Sequence, residues 1–122
     1  MLNKEKYDKN ILLIDNSKQR HNLSSRLRMT GHKVELVTSG FHGLHMLEEH
    51  EFDVVIIKNH PEDMPSFEVT GLVRTKWDET AIKIIFMQDK NYVDTKKMHL
   101  EMGVTEVVES SINFADLLKL IE

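Results

Sequence analysis

Three groups of residues have the types and spacing that chemistry needs. Asp15-Asn16 closes the apolar run Ile11-Leu12-Leu13-Ile14, and Lys58-Asn59 closes Val54-Val55-Ile56-Ile57. A carboxylate at such a point can hold a cation, and a lysine can neutralise an acid or meet an anion. The third group is the histidines, seven in 122 residues. His42 and His45 are three apart with Glu48 and Glu49 following, so a helix would put two imidazoles on one face, as a metal site requires. His60 follows Lys58 closely, where an imidazole can sense pH. Solvated surface positions are the ordinary alternative for all of these histidines.

Other chemistry is excluded or weakly signalled. There is no cysteine, so disulfides, thiolate metal sites and cysteine nucleophiles are out. No HExxH, phosphate-binding loop or Gly-x-Ser-x-Gly elbow occurs. The segment Asp15-Asn16-Ser17-Lys18-Gln19-Arg20 has no glycine to let backbone N–H groups cradle a phosphate, although Ser17, Lys18 and Arg20 offer weak anion contacts. No cofactor, no metal and no catalysis are expected.

The elements that must position these residues read clearly. Apolar runs at 11–14, 34–37, 54–57, 82–86 and 104–108 have strand character, and the first and third are continuous enough to be buried on both faces. Helical patterns lie between them: Leu23, Leu27 and Met29 after a cap at Ser17 and before Gly31; Leu44 and Leu47 after Ser39-Gly40; Phe67, Leu72 and Val73, ending near Trp77-Asp78; Val93, Met98 and Leu100 before Gly103; and Leu117, Leu118 and Ile121. Strand and helix alternate five times. That pattern predicts an α/β, doubly wound (βα)5 fold, a five-stranded parallel sheet of flavodoxin-like order 2-1-3-4-5. Such sheets bind ligands beyond the carboxyl ends of strands 1 and 3, at Asp15-Asn16 and Lys58-Asn59.

Composition sets the outer bounds. With 40% hydrophobic and 30% charged residues, the chain suits one globular domain over 10–122 behind a polar lead-in at 1–9. A net charge of −4 gives no general attraction to nucleic acid, and Lys96-Lys97 and Arg26-Arg28 are too short to supply one. No run reaches the ~20 apolar residues of a membrane helix. A cytoplasmic setting fits the absence of cysteine.

Taken in order, several segments resemble the receiver domains of response regulators. Ile11 to Asn16 looks like the family's first strand and acidic turn, and Thr38-Ser39-Gly40 like the lead into helix 2. Phe52 to Lys58 is similar to the third strand. Asp63 to Val69 resembles the loop into helix 3, and Leu100 to Val107 the passage from helix 4 to strand 5. The resemblance implies a phosphoryl-accepting site: paired acids holding Mg²⁺, a nucleophilic aspartate, a Thr or Ser after strand 4 and a lysine after strand 5. Of these only Asp15 matches. Asn16 stands for the second acid, Lys58 for the phosphoacceptor, Gln88 for the hydroxyl and Ser110 for the lysine. Ser111 replaces the following proline and Val107 the aromatic switch residue. The resemblance therefore implies a pseudo-receiver. Lys58 reads either as a surface lysine at a strand end or, more sharply, as an ammonium that stands in for the metal and neutralises Asp15, with Asp89 as a further candidate. At ~4 Å and an effective dielectric of ~20 such a pair gains roughly 4 kcal/mol before desolvation.

The expected function is a phosphorylation-independent signalling or scaffolding module, not an enzyme, that binds a protein partner. The resemblance points to the face of helix 4, strand 5 and helix 5, with Tyr92, Lys96, Lys97, Glu106 and Phe114 as contacts. For each of Met98, Met102 and Phe114 taken singly, core or half-buried packing is the better reading. The alternatives are a regulatory domain sensing a small ligand, a metal or pH, and the receiver half of a longer regulator.

Overall fold

The computed structural model describes residues 8–89 and 95–122. Its elements alternate as the pattern predicts: β1 (Asn10–Ile14), α1 (Arg20–Met29), β2 (Lys33–Val37), α2 (Gly40–Glu49), β3 (Val54–Lys58), α3 (Ser66–Arg74), β4 (Lys83–Gln88), α4 (Lys96–Met102), β5 (Glu106–Glu109) and α5 (Phe114–Ile121). The five strands form one parallel sheet in the order β2-β1-β3-β4-β5. Tyr92 and Val93 lie outside the described residues.

Strands β1, β3 and β4 are central, and the apolar side chains they bury divide into two clusters. One joins Leu12, Ile14, Val55, Ile57, Ile84 and Phe86 to Leu47 of α2 and to Val69 and Val73 of α3. The other joins Ile11, Leu13, Val54, Ile56, Ile85 and Met87 to Leu27 of α1 and to Leu117 and Ile121 of α5. The period-two alternation of side chains produces this division, and it explains why these strands are apolar without interruption.

The register sets the functional end. Ile14 pairs with Ile57 and Lys58 with Met87, so Asp15, Lys58 and Gln88 emerge within a residue of one another along the sheet. The N–H of Ser110 donates to the Gln88 carbonyl at 2.7 Å, which brings the end of β5 to the same place.

Helix ends explain three departures from the sequence reading. Ser17 does not cap α1: the cap is Gln19, with no side-chain bond, because the chain makes a turn at Ser17–Gln19 first and Arg20 N–H bonds the Ser17 carbonyl. Helix α3 stops at Arg74 rather than near Trp77, and the chain continues in a turn whose N–H groups at Lys76 and Trp77 still reach Val73. On α4 the buried residue is His99, whereas Met98 and Leu100 face outward. Ser39 caps α2, accepting from His42 N–H at 3.0 Å. Gly103 closes α4 at φ 114°, a conformation that favours glycine. A Cβ there would meet Arg74 Cγ at 2.7 Å.

Arg74 ties three elements together. Its guanidinium donates to the carbonyls of Gly103 (2.8 Å), Ile82 (2.7 Å) and Trp77 (3.1 Å), and approaches Thr105 Oγ1 at 3.3 Å. Burial lowers its pKa from the ordinary arginine value, opposed by Glu79 and Asp78.

Candidate functional site

Asp15 follows β1 and is 1% exposed. Its backbone N–H continues the ladder to Val37, and its Oδ1 accepts from Ser17 N–H at 2.8 Å, the bond of an Asx-turn. Its Oδ2 is shielded from water and has no hydrogen-bond partner among the described residues. Asn16, next to it, points to solvent.

Lys58 ends β3 and is half-buried. The expected ion pair with Asp15 is not formed: Lys58 Nζ reaches Ser17 Oγ instead, at 3.4 Å. The expected contact with Asp89 is also replaced. Asp89 is clamped by Asn59, whose Nδ2 donates to Asp89 Oδ2 (3.3 Å) and whose Oδ1 accepts from Asp89 N–H (3.0 Å). Asn59 sits at φ 56°, a left-handed conformation that asparagine tolerates better than most residues. The turn it makes carries the chain from β3 towards β4, where Asn59 N–H bonds the Met87 carbonyl at 2.7 Å, and it puts Asp89 out of the lysine's hands.

The other two residues expected here are in place. Gln88 is the last residue of β4, 7% exposed, and accepts from Thr95 Oγ1 at 2.9 Å, which ties the start of α4 to the sheet. Ser110 follows β5, and its Oγ is shielded, with no hydrogen-bond partner among the described residues. Lys58 and Ser110 also line a groove of about 200 Å³ between α1 and α5, with Arg26, Met87 and Phe114.

The expected partner face is divided. Lys96, Lys97 and Glu106 are exposed on α4 and β5. Phe114 is not part of that surface: the Arg26 guanidinium of α1 lies 4.1 Å over its ring, and it packs with the α1/α5 cluster. The reason is its position as the first residue of α5, on the helix face turned to α1. Apolar side chains do stand outward on α4, with Met98, Leu100 and Met102 at 38%, 42% and 39% exposure.

The histidines have separate fates. His42 and His45 are exposed, and His45 Nε2 lies 3.0 Å from Glu49 in an i, i+4 pair rather than beside His42. Among the described residues no group of three or more His, Asp or Glu side chains is placed to hold a metal ion. His60 and His99 are brought together by Ser66. Ser66 Oγ is 3.0 Å from His60 Nδ1 and 2.9 Å from His99 Nε2, and Ser66 N–H also donates to His60 Nδ1 at 3.1 Å. His99 Nδ1 meets the Thr95 carbonyl at 2.7 Å, and its ring stacks on Phe86 with centroids 4.1 Å apart. Burial first, and His99 second, lower the pKa of His60 below the ordinary histidine value.

The sequence singles out His60 but not Ser66, Thr95 or His99, because the pair that joins the network, Ser66 and His99, is 33 residues apart in the chain. A histidine placed between Met98 and Leu100 on an amphipathic helix was the available signal. Asp63 was also missed. Its carboxylate accepts from Gly40 N–H (2.8 Å) and Phe41 N–H (2.9 Å), so a residue from the β3–α3 loop caps α2. Burial works against the carboxylate, but the N–H bonds from Phe41, Gly40, Asp63 and Met64 outweigh it and lower its pKa.

The family model for the response regulator receiver domain matches residues 11–122, and the chain belongs to that family. Similar solved structures include the receiver domain of TorR, the response regulator of a TMAO respiratory system (17% identity over 91% of each chain, TM-score 0.81). A second is the receiver of the sensor histidine kinase PA1611 of Pseudomonas aeruginosa PAO1, solved with magnesium in its active site cleft (17% identity, 93% of this chain and 94% of that one, TM-score 0.82). A third is the receiver of Ssk1 of Saccharomyces cerevisiae, solved with the phosphotransfer protein Ypd1 (16% identity, 93% and 86%, TM-score 0.80). At such identities the likeness is one of fold. No curated protein matches the sequence.

The family implies Mg²⁺ at the carboxyl end of the sheet, and the donors here do not fit it. A hard dication needs several oxygen ligands, carboxylates foremost. Asp15 supplies one carboxylate, half engaged by Ser17; Asn16 is neutral; and Lys58 brings a positive charge to the end of β3.

Among the described residues no helix is long and apolar enough to cross a membrane.

Proposed function

We propose that this receiver domain signals or scaffolds by binding a protein partner and does so without phosphoryl transfer. The observation that carries the reading is Lys58 at the end of β3, where the family resemblance puts the acceptor aspartate. An amine there cannot form an acyl phosphate, and its charge repels the metal that the reaction needs. Asn16, Gln88, Ser110 and Val107 add to the case, since each replaces a group that would bind the metal, bind the phosphoryl group or report its arrival.

The outward apolar side chains of α4 support a protein partner. Met98, Leu100 and Met102 stand beside Lys96 and Lys97, an arrangement of apolar anchors with a polar rim. The Ssk1 receiver, solved with Ypd1, is one family member that docks on a protein. No part of the reading needs nucleic acid, a membrane or a cofactor.

The test is capture from native-source extract on the immobilised domain, beside a Lys97→Glu, Leu100→Glu variant of unchanged melting temperature. Capture by the wild type and loss by the variant supports the reading and the α4 face. Equal capture by both moves the face elsewhere, and capture that requires acetyl phosphate overturns phosphorylation independence.

A further inference from the structure

The groove of about 200 Å³ between α1 and α5 has a chemically one-sided lining. Its polar side chains are those of Gln19, Asn22, Arg26, Lys58 and Ser110. Each carries a hydrogen-bond donor and two are cations. Among the described residues no aspartate or glutamate lines it. Leu23, Met87, Phe114 and Leu117 supply an apolar wall. Alternation along β3 explains the lysine's presence: Ile56 packs on the α1/α5 side of the sheet, so Lys58, two residues on, emerges on that side as well.

Neither cation is paired with a carboxylate among the described residues. Lys58 is half-buried, and its Nζ makes one long contact, 3.4 Å to Ser17 Oγ. Asp15 stands level with it on the sheet, but the ion pair is not formed and Asp15 Oδ1 accepts from Ser17 N–H instead. Arg26 is exposed, and its guanidinium lies 4.1 Å over the Phe114 ring. That stack holds a positive charge at the wall of the groove and leaves the edge of the guanidinium plane to donate. Ser110 Oγ has no hydrogen-bond partner among the described residues, so turning the hydroxyl to a ligand breaks no bond.

We propose that this groove is a binding site for a small organic carboxylate, its charge met by Lys58 and Arg26 and its apolar body laid on Phe114, Leu23 and Leu117. A cation is rejected by the lining, and an inorganic anion leaves the apolar wall uncovered. Asp15 offsets part of the charge of Lys58, so a singly charged head group suits the site better than a dianion. Size limits the body to one ring or a short chain, since a cavity of roughly 150 Å³ holds benzene. The inference is independent of which face meets a protein partner.

The experiment is an amide NMR titration of the whole chain with benzoate and with hexanoate, each beside its neutral amide, and with inorganic phosphate. The expected result is saturable shifts at residues 17–26, 58 and 110–117 with a Kd of about 1 mM or below for at least one carboxylate. Its amide and phosphate should bind at least about tenfold more weakly. Arg26→Glu, a change at an exposed position, and Lys58→Gln should each weaken the carboxylate by about tenfold or more, the size of a lost charged hydrogen bond. A Lys96→Glu, Lys97→Glu variant, altered on α4 and away from the groove, should bind within about twofold of the wild type. No saturable shift up to about 20 mM of either carboxylate would overturn the proposal. So would shifts centred elsewhere, an amide or phosphate that binds as tightly as the carboxylates, or an equal loss in the α4 variant.

Discussion

Two regions of this molecule bury polar groups to a similar depth and treat them differently. At the carboxyl end of the sheet, Asp15 Oδ2 and Ser110 Oγ are shielded from water and have no hydrogen-bond partner among the described residues. Behind β4, Ser66, Thr70 and His99 are fully buried, and each side chain is bonded. An unsatisfied buried polar atom costs about 1–3 kcal/mol, so a fold retains few. The contrast teaches that the α3/α4 network ties helices to the sheet through its side chains, whereas at the Asp15 and Ser110 end the backbone and one Asp15 oxygen hold the structure and the remaining polar atoms face the end of the sheet.

Mutations that remove one partner should separate the regions. His99→Ala should cost the most, about 3 kcal/mol, because it opens a cavity beside Phe86 and strands the Thr95 carbonyl and the Ser66 hydroxyl. Urea denaturation checks it, and a loss under about 1 kcal/mol would break the contrast. Arg74→Ala should come next at about 2 kcal/mol, since three carbonyls lose their donor. A loss of α4 amide protection in hydrogen exchange is the matching local readout.

Asp63→Ala should cost about 1 kcal/mol through the lost cap on α2. Its pH dependence has a fixed sign. The folded-state pKa is depressed, so the contribution is full above the ordinary carboxylate value and fades as the pH falls through the lower folded value. The melting-temperature gap between wild type and variant should therefore narrow in acid, and a gap that widens would contradict the assignment. Smallest is Lys58→Ala, within about 0.5 kcal/mol, because its only described bond is a long one to Ser17. A large loss would restore the ion pair with Asp15 that the sequence suggested.

The sheet was legible because its signals are local: continuous β-branched runs for β1 and β3, and Gly31 and Gly103 at helix ends. Strand order followed from alternation and handedness. The positions of Asp15, Lys58, Gln88 and Ser110 followed with it, since a strand end is a place that register fixes. What those side chains bond to was not legible. Lys58 was expected on Asp15 and Asp89, but the left-handed turn at Asn59 gives Asp89 another partner. Phe114 was open to two readings, partner contact and packing residue, and α5 turns it under Arg26, which is packing. His99 looked like one of several scattered histidines because its partners come from α3 and β4, distant in the chain.

The central claim is that phosphoryl chemistry does not run on this domain, and intact-mass spectrometry after incubation with Mg²⁺ and acetyl phosphate tests it most directly. The account predicts the unmodified mass, with amide spectra unchanged at β4, α4 and β5. A hydroxylamine-labile phosphoryl adduct, with shifts propagating from Asp15 or Asp89 into α4, would contradict it.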